Sequence, residues 1–108
     1  MPTRTPIACS LSATELPKRL AEMEAIGADA LLTADRTPTT ARLRFRASDD
    51  TRERLAAIVT AESRCCAFLN FDLRDDAGAI VLTIASPADD AARLMLDELA
   101  DAFAATKA

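Results

Sequence analysis

The sequence predicts an α+β fold, a mostly antiparallel sheet with helices packed on one face. Three observations support this prediction. The chain has 108 residues, of which 50% are hydrophobic, enough for a compact core. Segments with apolar residues at every second position alternate with segments in which they recur every three or four. A helix followed by a hairpin occurs twice. The expected order is β-α-β-β-α-β-β-α, in a single domain spanning residues 1–108.

The chain is expected to begin with a strand and a helix. Residues 7–11 alternate as a short strand, which puts Cys9 on the apolar face. Residues 12–15 (Ser-Ala-Thr-Glu) form a capping box that starts the first helix. Gly27 is the expected stop of that helix. The predicted buried stripe of the helix contains Leu16, Leu20 and Met23.

A hairpin should follow this helix. Residues 30–34 predict a strand, residues 35–38 a polar turn, and residues 39–46 a second strand with clear alternation. We interpret the arginines of that strand as a solvated face rather than an anion site, because the alternation of apolar and polar residues by itself predicts a solvated face. The apolar face of the strand carries Ala41, Leu43 and Phe45, and the opposite face carries Arg42, Arg44 and Arg46.

The second helix is expected to begin after Ser48, a capping residue, and to continue to about Leu69. At 100° per residue its apolar arc includes an acid and a thiol, while Cys65 lies at the edge of the arc. The residues of this arc are Leu55, Ile58, Val59, Glu62, Cys66 and Leu69.

A second hairpin and a third helix complete the predicted fold. Phe71 and Leu73 belong to one strand, residues 75–78 to a turn, and residues 80–84 to its partner strand. Ser86 is the expected cap of the last helix. The buried side of that helix is predicted to include Leu96, Leu99 and Phe103.

The charge of the chain excludes some partners. Thirteen Lys and Arg residues are outnumbered by seventeen Asp and Glu, giving a net charge of -4, which argues against nucleic acid. No apolar run approaches the roughly 18 residues that span a bilayer, and residues 1–6 are too few and too polar for a signal peptide. We therefore expect a cytoplasmic protein that contacts neither nucleic acid nor membrane.

The three cysteines are the chemically distinctive residues of a chain that has no histidine. Cys65 and Cys66 are adjacent, and neighbouring cysteines form a disulfide only through a strained ring, so free thiols are expected in the cytoplasm. A vicinal pair plus Cys9 makes a two- or three-coordinate sulfur site, suited to mercury(II), arsenic(III) or copper(I). Structural zinc fits less well because it prefers four Cys and His ligands. The pattern implies no organic cofactor.

Glu62 strengthens this hypothesis because it lies three and four residues before the vicinal cysteines, on the same helical face. A carboxylate in an apolar stripe is costly unless it is paired or used. Three roles are open for it: accepting a thiol proton on metal binding, coordinating the ion, or pairing with a nearby arginine. The predicted metal-site residues are Cys9, Glu62, Cys65 and Cys66.

Two other functions fit the same residues. A thiol-disulfide or peroxide-reducing enzyme would use Cys9 with one of the vicinal thiols as attacking and resolving groups. A non-catalytic module would instead interact or dimerise through an apolar face and keep its cysteines inert. Without histidine there is no Cys-His nucleophile pair, and the Cys-x-x-Cys spacing is absent, so no catalytic residue is assigned.

Two motifs resemble those of a family of small, mostly uncharacterised bacterial proteins. Residues 7–11 match its I-A-C-x-L strand, and residues 62–73 match E-R-x-C-C-[P/A]-F-L-x-F-x-L, except that Ser63 replaces the basic residue. Members occur near or fused to heavy-metal-responsive regulators. The resemblance implies metal buffering, delivery or sensing in heavy-metal resistance, with a metal-responsive regulator or metal-handling protein as partner. It singles out Cys9, Glu62, Cys65 and Cys66.

Overall fold

The computed structural model describes residues 15–65 and 68–105, which form three helices and four strands. The strand predicted at residues 7–11 lies outside the described residues. The remaining order, α-β-β-α-β-β-α, is confirmed. In chain order the elements are α1 (Glu15–Ala30), β1 (Leu31–Thr37), β2 (Thr40–Arg46), α2 (Asp49–Cys65), β3 (Asn70–Asp76), β4 (Ala79–Ala85) and α3 (Asp90–Ala104).

The four strands form one sheet in the order β1-β2-β4-β3, and every neighbouring pair is antiparallel. One face of the sheet packs against the helices and contributes to the core, as the alternation predicted. The α+β prediction is therefore confirmed. The side chains of β2 and β4 that are buried on this face are Ala41, Leu43, Phe45, Ile80, Leu82 and Ile84.

The repeated helix-hairpin unit gives the sheet an approximate twofold arrangement. The second strand of each unit lies at the centre, where β2 pairs with β4 around Leu43 and Leu82. The first strands, β1 and β3, form the two edges. Helix α3 belongs to neither unit and packs on α1, closing the core with an edge-to-face contact between Phe45 and Phe103 at 5.5 Å.

The structure corrects the expected position of the first turn. Strand β1 continues through Thr37, so the turn consists of Pro38 and Thr39 rather than of residues 35–38. An edge strand tolerates such polar residues because one of its sides faces solvent. The second turn falls at Ala77 and Gly78, whose φ angles of 51° and 81° suit a tight two-residue hairpin.

Gly27 was predicted to end α1, and that prediction is wrong. The helix continues to Ala30, and Gly27 is buried inside it. A Cβ atom at this position would lie 1.7 Å from the carbonyl oxygen of Phe103 on α3. Glycine is required at this position because the backbones of the two helices are in contact. The sequence alone does not distinguish a glycine that permits such a contact from a glycine that ends a helix.

The predicted caps have different outcomes. Ser48 caps α2 as predicted, since its Oγ accepts a hydrogen bond from the Thr51 amide at 3.0 Å. The helix ends at Cys65, earlier than expected, although Leu69 beyond it is still buried. Helix α3 is capped by Asp89 rather than Ser86, because the Asp89 carboxylate accepts from the Ala92 amide at 3.0 Å.

Candidate functional site

The predicted metal-site residues are only partly visible in the structure. Cys9 and Cys66 lie outside the described residues. Cys65 is the last residue of α2. Glu62 lies one turn earlier on the same helix, and its side chain is completely buried. Glu62 is therefore the residue through which the surroundings of this site can be described.

Glu62 is paired with an arginine from another helix. The Nη1 atom of Arg19 on α1 donates to Oε2 of Glu62 at 3.4 Å. The carboxylate is 0% exposed, whereas the arginine side chain is 27% exposed, so the guanidinium keeps access to water. Of the three roles open to Glu62, pairing with a nearby arginine is thus observed. This pair therefore links α1 to α2 through a carboxylate from which water is excluded.

The position of this ion pair fixes which ends of the two helices meet. Arg19 is in the second turn of α1, which begins at Glu15, and Glu62 is in the last turn of α2. An arginine side chain and a glutamate side chain together reach only about two helical turns. The start of α1 therefore lies beside the end of α2, where Cys65 is located.

The surroundings of Glu62 on α2 are apolar. Leu55 and Ile58 precede it on the same buried stripe, and Leu69 is buried just beyond the helix. Phe68 and Phe71 are partly buried against this core. Ser63 and Arg64, in contrast, are exposed. The helical projection that placed the acid among apolar residues is confirmed by this burial pattern.

Sequence reasoning missed Arg19, although a signal for it was present. Arg19 precedes Met23 and Ile26 at helical spacing, and both of these side chains are fully buried. A cation on the buried stripe of one helix and an acid on the buried stripe of another together favour a buried pair. The two helices had to be compared to find it, because neither stripe alone identifies a partner.

The uncovered face of the sheet holds a second set of ion pairs. Arg44 donates to Asp76 at 2.9 Å, and Arg74 donates to Asp72 at 2.7 Å. The hydrogen bond from Arg74 lowers the pKa of Asp72, and that from Arg44 lowers the pKa of Asp76. Asp72, Arg74 and Asp76 are exposed and Arg44 is half-buried, so these ion pairs lie at the boundary with solvent.

Two further structural observations apply to residues 15–65 and 68–105. Within these residues, no group of three or more Cys, His, Asp or Glu side chains is arranged to hold a metal ion. None of the helices among them has the length and apolar composition required to cross a bilayer. Neither observation includes the positions of Cys9 and Cys66.

Comparison of the chain with protein-family models, curated proteins and solved structures finds no match. The description of the site consequently depends on the chain's own residues and geometry.

Proposed function

We propose that this chain is a cytoplasmic soft-metal or metalloid-binding protein. Its ligands are the thiolates of Cys9, Cys65 and Cys66, and its ion is mercury(II), arsenic(III) or copper(I). Its role is buffering, delivery or sensing in heavy-metal resistance, with a metal-responsive regulator or metal-handling protein as partner. This biological role comes from the family resemblance, whereas the choice of ion comes from sulfur chemistry.

The observation that carries the proposal is the meeting of the start of α1 with the end of α2. Cys9 shortly precedes Glu15, the first residue of α1. About six extended residues reach about 20 Å, so a segment entering α1 has enough length to bring a thiol to the end of α2. Thiolates that share one ion lie within about 4 to 5 Å of each other. The short connection supports a three-sulfur site.

In our proposal Glu62 positions the two helix ends that carry the site and does not bind the ion. Its carboxylate is buried and accepts from Arg19, so it holds the start of α1 against the last turn of α2. A direct bond from Glu62 to the ion remains an alternative. Glu62→Gln separates the two roles because it keeps the volume and removes the anionic ligand. Positioning predicts unchanged metal stoichiometry and sulfur-to-metal absorption, whereas coordination predicts a changed absorption band.

Titration under reducing conditions tests the proposed function. We expect the wild-type protein to bind one equivalent of mercury(II), phenylarsine oxide or copper(I). Calorimetry and ultraviolet sulfur-to-metal absorption measure this binding. The Cys65→Ser/Cys66→Ser variant should bind at least about a hundredfold more weakly, since losing both thiolates removes several kcal/mol. Cys9→Ser should retain two-coordinate mercury(II) binding and lose the third sulfur. Ser63→Ala, an exposed neighbour, is the matched control.

The competing functions give different results in the same preparation. If the Cys65→Ser/Cys66→Ser variant bound all three probes as tightly as the wild type does, metal binding by the vicinal cysteines would be contradicted. A redox enzyme would instead form a disulfide with Cys9 under mild oxidation and consume peroxide. An inert module would show slow alkylation of all three thiols in the folded state and no effect of metal.

A further inference from the structure

A groove of about 380 Å³ lies between α1 and α3, on the outer side of the helical layer. The two helices touch where Gly27 meets the backbone of Phe103. Helices that cross at an angle separate on either side of their contact, and this separation leaves room for a groove. The groove is lined by Leu20 and Glu24 of α1 and by Leu94, Asp97, Glu98 and Asp101 of α3.

The apolar part of the groove is a pair of leucines. Leu94 is 68% exposed, and only one other large hydrophobic residue among those described, Leu32, is similarly exposed. Leu20 is half-buried on the opposite wall. Covering Leu94 would remove most of its apolar surface from water, which favours binding. This makes the leucine pair an anchor point for a docking side chain.

Two of the four acidic residues that line the groove are paired with an arginine of the chain, and the other two are not. Arg36 of β1 contacts both Asp97 and Asp101, with an Nη1–Oδ1 distance of 3.4 Å to Asp101. Glu24 and Glu98, in contrast, have no cationic partner within the described part of the chain. The geometry of Arg36 demonstrates that a guanidinium fits between acids one turn apart on α3. Glu24 on the α1 wall and Glu98 on the α3 wall are each available to pair with a cation from outside the chain.

Both walls of the groove repeat the same spacing. Leu20 is followed four residues later by Glu24, and Leu94 is followed four residues later by Glu98. Four residues are about one helical turn, or about 6 Å along the axis. A partner helix with an aliphatic residue followed one turn later by Arg or Lys would therefore match the leucines and the acids together.

We propose that this groove docks a cationic amphipathic helix of another protein. Its aliphatic side chain packs between Leu20 and Leu94, and its basic side chains pair with Glu24 and Glu98. Charge complementarity selects this occupant over a second copy of the chain, whose net charge of -4 would repel the acidic walls. The docking site is independent of the proposed metal site, since it uses none of the cysteines.

A labelled synthetic peptide tests the docking proposal. The probe is a helical peptide of about 16 residues, with Leu and Arg four positions apart on an Ala and Gln background. A scrambled peptide of the same composition is its control. In fluorescence anisotropy the patterned peptide should bind about tenfold more tightly than the scrambled one, and its binding should weaken with salt.

Protein variants locate the bound peptide. Glu24→Gln/Glu98→Gln should weaken binding of the patterned peptide about tenfold, from the loss of two charge pairs. Leu94→Ser should weaken it by a similar factor without shifting the unfolding midpoint, because this side chain is exposed. The matched control is Glu22→Gln/Glu53→Gln, which makes the same charge change at exposed positions outside the groove. The control should bind like the wild type.

Several results would overturn the docking proposal. Equal affinity for the two peptides, or equal weakening by the two double variants, would mean that only net charge matters. Failure of the patterned peptide to bind at about 1 mM, in low salt, would also reject the proposal. A wild-type dimer in sedimentation that Leu94→Ser dissociates would identify a second copy as the occupant instead. The peptide measurements use metal-free protein, so their outcome is separate from that of the metal titration.

Discussion

Helix α1 contacts its two neighbouring helices in contrasting ways. Its contact with α3 depends on a missing atom, because Gly27 lets the backbone approach the carbonyl group of Phe103. Its contact with α2 includes an ion pair, in which Arg19 meets the buried carboxylate of Glu62. The same helix thus makes a close backbone contact on one side and an ion pair on the other.

The difference between these contacts indicates what each is for. Close backbone packing excludes water and needs no charged group to satisfy. A buried ion pair must overcome the loss of hydration of both charges, and an apolar pair of similar volume often stabilises a fold as well. The α1–α3 contact is thus sufficiently explained by packing. The ion pair, in contrast, joins α1 to the last turn of α2, which ends at Cys65, and the positioning role proposed above would account for it.

Gly27→Ala should have the largest effect on stability. At an unconstrained helix position the change would stabilise the protein by up to about 1 kcal/mol. Here the new Cβ would lie 1.7 Å from a backbone oxygen, so we expect a loss of about 3 kcal/mol or more, measured by urea unfolding. Ala28→Gly, at an exposed position of the same helix, is the control and should lose only about 1 kcal/mol. An increase in stability for Gly27→Ala would contradict the close contact.

The two halves of the ion pair should contribute unequally. Arg19→Met removes the guanidinium from a carboxylate that stays buried, and we expect a loss of about 2 to 3 kcal/mol. Glu62→Gln leaves a guanidinium that already reaches water, and we expect a loss of about 1 kcal/mol. Chemical unfolding at neutral pH measures both values. A larger loss of stability for Glu62→Gln than for Arg19→Met would contradict the explanation that the effect comes from the buried carboxylate.

The double variant Arg19→Met/Glu62→Gln completes a thermodynamic cycle for this pair. The decrease in its free energy of unfolding should be smaller than the sum of the decreases in the two single variants, because the buried charge and the arginine disappear together. Additive losses would show that Arg19 and Glu62 stabilise the protein independently. Arg64→Met, at an exposed position next to the end of α2, controls for removing an arginine from this region.

The smallest effects should come from the exposed pairs on the uncovered sheet face. The hydrogen bond from Arg44 lowers the pKa of Asp76 below its ordinary value of 3.8. Arg44→Met should therefore raise the pKa of Asp76 toward that value, as measured by NMR titration of carboxyl carbons. The pKa of Asp72 should stay low in this variant, since its main partner is Arg74. Movement of both pKa values together would indicate a general change in the sheet.

The pH dependence of stability follows from the direction of these shifts. A carboxyl group whose pKa is lower in the folded state stabilises the fold above its unfolded pKa. That contribution is lost as pH falls below about 3.8 and through the lowered folded value. Asp72→Asn/Asp76→Asn should remove this part of the acid dependence. The variant should lose the same contribution to stability at neutral pH, and this loss should be small because both side chains are exposed.

Local patterns determined much of the fold. The alternation in β2 predicted the burial of Ala41, Leu43 and Phe45, because a strand alternates its side chains between two faces. The cap at Ser48 was also readable, since its hydrogen bond stays within one turn. Boundaries were less accurate: β1 extends through polar residues, and Asp89 rather than Ser86 caps α3. At those ends several local signals compete and packing selects among them.

The sequence by itself determined which residues form the candidate site and that Glu62 lies on a buried stripe. Only the tertiary structure decided that Arg19 is its partner and that the start of α1 meets the end of α2. It also decided that Gly27 belongs to a helix contact rather than a helix stop. The physical reason is the range of the interactions: propensity and periodicity act within a few turns, whereas a partner from another helix is set by how the elements pack.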